Sequence, residues 1–230
     1  MKLWDKGIKI DEKIEQFTVG NDREIDMHIA KYDINASLAH AKMLFSIGII
    51  TAIELQQLEK GLSILEKQIH EGTFIIETQF EDVHSKIEFE LTNMFGEVGK
   101  KIHTARSRND QVLVALQLYY KDQLQTIKGL VGTFFDTLLN LAELHKKCLL
   151  PGYTHLQVAM PSSFGLWFSS YAEVIVDDVY LLDAAIKTID QNPLGSAAGY
   201  GSSFPIDRKF TTKELGFGAL KYNVIAAQMG

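Results

Sequence analysis

The chain has 230 residues, 46% of them hydrophobic and 23% charged, enough apolar material for one large domain or a domain with an extension. Its formal net charge of −6 argues against nucleic acid or an anionic membrane as partner, because both demand an excess of Lys and Arg. A single cysteine, Cys148, no charged-then-apolar leader and no uncharged apolar run near the roughly 18 residues of a membrane span together predict a soluble protein of a reducing, cytoplasmic compartment.

Helical periodicity then runs along most of the chain. Residues 24–47 carry Ile25, Ile29, Ile34, Leu38, Ala41 and Leu44 at steps of three to five and stop at Gly48, which predicts one or two helices. Thr51 followed by Glu54 is a capping-box signal, and the stripe Ile53, Leu55, Leu58, Leu62, Leu65 and Ile69 continues to Gly72. Val83, Ile87, Leu91, Met94 and Val98 predict a third helix over 81–98. Strand-like alternation is weak outside residues 73–79.

From Asn109 to His145 there is no proline and the apolar positions recur at helical steps, predicting a helix that at about 1.5 Å per residue reaches roughly 55 Å. Pro161 suits the first turn of another helix, which runs to Asn192-Pro193. Two long antiparallel helices joined by a loop at 146–160, each apolar over more than one stripe, imply a bundle completed by self-assembly. Residues 193–230 are Gly-rich and irregular. The fold class expected is all-α: a small N-terminal helical domain over 1–106, then the first part of a long-helix bundle over 107–230.

Three polar segments carry the chemistry. Arg106-Ser107-Arg108-Asn109-Asp110 lies where the long helix starts, so backbone N–H groups, two guanidinium forks and small polar side chains can converge on a carboxylate. The plain alternative is a capped helix start with solvated arginines. His155, between Thr154 and Gln157 and beside Tyr153, carries an imidazole, a side-chain type that can shuttle a proton, and has neighbours that could orient it. In Glu81-Asp82-Val83-His84 the acids suit a helix N-terminus, while His84 reads as a core histidine or a substrate contact.

With Lys2-Leu3-Trp4, Pro193-Leu194-Gly195 and Pro205-Ile206-Asp207-Arg208, the strings Glu81 to His84, His103 to Gln111 and Pro151 to Gln157 resemble the argininosuccinate lyases of the fumarase and aspartase superfamily. They occur in the family's order over nearly the whole chain. The resemblance implies a homotetramer with active sites assembled from several subunits, no cofactor and no metal. It also implies the cleavage of argininosuccinate to arginine and fumarate in arginine biosynthesis. By motif position His155 resembles the catalytic histidine, either as proton acceptor or as partner of a serine. Asn109 and Thr154 resemble substrate-binding positions, with Ser107, Arg108, His84 and Gln157 in support. A helical scaffold of crystallin type and another superfamily lyase, such as adenylosuccinate lyase, are the alternatives. The Arg106-Ser107-Arg108 string favours argininosuccinate.

Four departures qualify the resemblance. The opening Trp4-Asp5-Lys6-Gly7-Ile8 lacks the family's Gly-Gly-Arg-Phe, and residues 18–23 replace an Asn-x-Ser substrate loop. Ala105 stands where Gly is usual, which should remove easy access to positive φ. Gly201-Ser202-Ser203-Phe204-Pro205 imitates the start of the family's mobile catalytic-serine loop but lacks its Lys and Asn-Pro. The expectation is therefore an N-terminal portion, inactive alone, whose third signature lies outside this chain.

Overall fold

A computed structural model describes residues 12–229, so the motifs within residues 2–8 fall outside it. In chain order the helices are α1 (Glu12–Val19), α2 (Asp22–Ile25), α3 (Ala30–Ser46), α4 (Ala52–His70), α5 (Val83–Phe95), α6 (Glu97–Lys100) and α7 (Arg108–His145). There follow strands β1 (Leu149–Thr154) and β2 (Gln157–Ser163), helix α8 (Phe164–Ile189), the short β3 (Gln191–Asn192), α9 (Arg208–Glu214) and β4 (Ala219–Leu220). The chain is predominantly helical, as its periodicity predicts.

Contacts divide the chain into two compact units. The first comprises residues up to Tyr119 together with Asp190–Gly230, and the second is Tyr120–Ile189. In the first unit, α3, α4 and α5 enclose Ile34, Met43, Leu44, Leu58, Leu62, Leu65, Phe80, Ile87 and Leu91, all almost fully buried. Burying each such side chain is worth about 1.5–3 kcal/mol before the cost of ordering it. Helix α4 starts where the sequence says it should. The Thr51 hydroxyl accepts from the Glu54 N–H, and the Glu54 carboxylate accepts from the Thr51 N–H. Gly99 is obligatory for a different reason: a Cβ there would stand 2.3 Å from the Leu91 backbone, so α6 can fold back on α5 only without a side chain.

The second unit contains the rest of α7, the β1–β2 hairpin and α8. Gly165 lies against the α7 backbone at Ala142, and Lys128 pairs with Asp183 at 2.5 Å, which fixes the two helices as an antiparallel pair. The hairpin corrects the expected loop at 146–160. Pro161 pairs with Pro151 in it, so the helix that Pro161 was expected to open starts at Phe164 instead. Conversely, residues 73–79 form no strand, although Phe74 and Ile76 are buried and Ile75 is exposed. Their alternation is real, but among the described residues no strand pairs with them to complete a ladder.

Candidate active site

The start of α7 is capped by two side chains. The Ser107 hydroxyl lies 3.4 Å from the Asn109 N–H, and Asp110 Oδ1 accepts the Ser107 N–H at 2.8 Å. The chain reaches this cap through Ala105 at φ +59, so the position demands the left-handed conformation that Gly would adopt freely, and alanine occupies it under strain. That turn sends the Arg106 side chain inward, where it is 1% exposed.

Arg106 therefore does not join a surface anion cradle. Its Nη1 donates to Ser37 Oγ at 2.9 Å, and its Nη2 lies 3.6 Å from Asp33 Oδ1. Gln111 Nε2 donates to both Asp33 oxygens at 3.1 Å. His84 Nδ1 stands 2.9 Å from Asp33 Oδ2, close enough to pair electrostatically but poorly aligned for a hydrogen bond. Burial by itself would raise the Asp33 pKa. The charges of His84 and Arg106, with the hydrogen bonds, overcome it and hold the carboxyl well below the usual range. Nearby, His40 accepts no charge: burial first, then the Arg106 cation, lowers its pKa to about 3, and its neutral ring bonds the Thr104 carbonyl through Nε2 at 2.9 Å.

Arg108 is also engaged. Its Nη1 donates to Gln111 Oε1 at 2.8 Å and its Nη2 to Ser85 Oγ at 3.2 Å, while Nε lies 3.3 Å from Asp82 Oδ2. Asp82 in turn caps α5 by accepting the Ser85 N–H at 2.7 Å. The starts of α5 and α7 are thus locked together. This brings His84, Ser107, Arg108 and Asn109 into one cluster in the first unit. Of these Asn109 is the exposed member, and it lines a cleft of about 490 Å³ with Val112, Leu113, Ala198, Gly199, Tyr200, Ile225 and Gln228.

Thr154, His155 and Gln157 lie in the second unit, at the tip of the hairpin. Thr154 pairs with Gln157, leaving His155 and Leu156 as a two-residue turn with φ +48 and +64. Positive φ at both central residues defines a type I′ turn, normally Asn-Gly, and its occupation by His-Leu is strain of the kind that accumulates at functional sites. All four residues are exposed, Leu156 to 98%.

The buried members Asp33, Ser37 and His40 are not evident as site residues from motifs. Their signal is spacing: three polar side chains at steps of four and three, which puts them on one face of α3.

A family model described as lyase matches residues 6–229. The chain belongs to this lyase family. The chain is 53% identical over 229 residues to an argininosuccinate lyase of Phocaeicola vulgatus, covering 100% of this chain and 51% of that protein. Against the argininosuccinate lyase of Thermotoga neapolitana the identity is 47% over 227 residues, covering 99% of this chain and 57% of the other. The chain spans about half the length of these curated relatives, corresponding to their N-terminal half. A crystal structure of EDDS lyase in complex with formate superposes with a TM-score of 0.80 at 26% identity, covering 98% of this chain and 44% of that one. A fumarate lyase:delta crystallin structure from Brucella melitensis, bound to cobalt, shares the fold at a TM-score of 0.74 and 13% identity, covering 89% and 50%.

Proposed function

We propose that this chain carries the N-terminal portion of an argininosuccinate lyase, cleaving argininosuccinate to arginine and fumarate in cytoplasmic arginine biosynthesis. The observation that carries the reading is the identity of 53% to an argininosuccinate lyase over the whole chain. The intact Arg106-Ser107-Arg108-Asn109 and Thr154-His155-Leu156-Gln157 strings support it.

The reaction is a β-elimination. A proton leaves the carbon beside one succinyl carboxylate, the C–N bond to the guanidino group breaks, its electron pair stays on nitrogen, and that nitrogen takes up a proton. The remaining four-carbon skeleton becomes fumarate. Negative charge develops on the carboxylate next to the deprotonated carbon, and fixed donors that meet it there lower the barrier by several kcal/mol in total. Asn109, exposed at the start of α7, supplies an amide donor for a substrate carboxylate, and Ser107 and Arg108 hold that helix start in place. His155 moves the proton, with Thr154 binding substrate and Gln157 closing the hairpin turn beneath it. His84 supports the site through Asp33, from inside the fold.

The assembly proposed is a homotetramer whose sites draw on several subunits. In the second unit Leu130, Leu144, Leu166, Val174 and Leu181 are each more than 60% exposed, an apolar surface that another copy would cover. Fumarate formation is followed directly as rising ultraviolet absorbance with argininosuccinate as substrate. The full-length protein shows turnover and His155→Ala reduces it by at least about a thousandfold, the scale of losing a proton-transfer group plus its positioning. Undiminished turnover in that variant removes His155 from the mechanism.

A further inference from the structure

Asp110 is fully buried, although it lies in the first turn of α7 beside the exposed Asn109. One carboxylate oxygen caps the helix start by accepting the Ser107 N–H at 2.8 Å. Capping needs nothing more, yet the second oxygen is used as well. It accepts the N–H of Gly195 at 2.9 Å and that of Ala197 at 3.1 Å, both from the segment 193–199 more than eighty residues away.

One residue of that segment holds a backbone conformation that is unfavourable for an L-residue. Gly195, Ala197 and Gly199 all have positive φ, at +86, +52 and +115. Ala197 has no glycine's freedom and adopts the left-handed region only because something fixes it there. Gly195 cannot take a Cβ, which would stand 2.7 Å from Arg208 Cγ. The residues immediately after Ala197, namely Ala198, Gly199 and Tyr200, line the same cleft as Asn109. One carboxylate therefore ties together the helix turn that presents Asn109 and the strained loop that faces it.

We propose that Asp110 is a positioning residue for the substrate cleft, setting the separation between Asn109 and the Ala198–Tyr200 wall rather than merely capping α7. This inference rests on the lyase reading above. Losing the clamp displaces the two walls, and displacements of about 1 Å cost on the order of a hundredfold in rate.

The test separates position from stability. Asp110→Asn keeps the shape but sets an amide N–H against backbone donors, and Ala197→Gly in the same chain relieves the loop's strain. In the full-length protein the double variant recovers its thermal midpoint relative to Asp110→Asn alone, while kcat/KM for argininosuccinate stays lower than wild type by at least about thirtyfold. Recovery of kcat/KM in step with the midpoint overturns the proposal, because a capping role alone moves both together. If the amide variants do not fold, Asp110→Glu keeps the charge and both acceptors but shifts them by one methylene. It lowers kcat/KM at least about tenfold, and a value within threefold of wild type overturns the proposal equally. If the wild type shows no turnover of argininosuccinate, the lyase reading fails and hydrogen exchange decides the clamp. The folded variant then loses protection together over residues 105–113 and 193–203, and loss in only one of them contradicts it.

Discussion

Ala105 is where a single residue carries a measurable conformational cost. At φ +59 an L-residue loses about 1–2 kcal/mol relative to its preferred backbone, and replacing it with glycine returns that strain while adding about 0.4–1 kcal/mol of unfolded-state entropy. Ala105→Gly is thus expected to stabilise the protein by about 0.5 kcal/mol, read as a higher urea midpoint at unchanged slope. His40 sets a pH dependence. Its folded pKa of about 3 lies below the usual 6.5, so the unfolded chain binds the extra proton between those values. Its contribution is complete above about pH 6.5 and is lost as pH falls toward 3, at about 1.4 kcal/mol per unit. Urea unfolding between pH 7 and pH 4 shows this slope, and His40→Gln flattens it. Neither His40 nor its neighbour Asp33 belongs to a motif. Both are chosen by burial, which a linear sequence registers only as polar residues recurring at helical spacing.

At the scale of elements, the helices follow from their periodicity and punctuation. Helix α4 has its start written in Thr51 and Glu54, and Thr51→Ala should cost about 1 kcal/mol of unfolding free energy in denaturant titration. Helices α7 and α8 end within a few residues of where their apolar pattern stops. The β1–β2 hairpin is illegible for equally physical reasons. Its strands pair only with each other among the described residues, and its turn is His155-Leu156 in place of the glycine-containing pair that marks type I′. Pro161, readable as a helix opener, serves as a strand residue. The candidate site shows the same division: the strings containing Asn109 and His155 are visible as motifs. Yet the inward turn of Arg106, which replaces a surface charge by a buried partner of Asp33, depends on contacts seventy residues apart.

Across the whole molecule, the sequence candidates fall into two separate structural units: Ser107, Arg108, Asn109 and His84 in one, Thr154, His155 and Gln157 in the other. The second unit also exposes Leu181 at 73% and Leu144 at 73%. In the assembly proposed above, the Asn109 helix start and the His155 hairpin tip act together in sites built from different subunits. The most direct measurement is to prepare full-length Asn109→Ala and His155→Ala proteins, unfold and refold them as a mixture, and follow fumarate formation from argininosuccinate. Random mixing leaves about a quarter of shared sites with both residues intact, so activity should rise to that order of the wild-type value. A mixture no more active than the sum of its two parents would contradict the account.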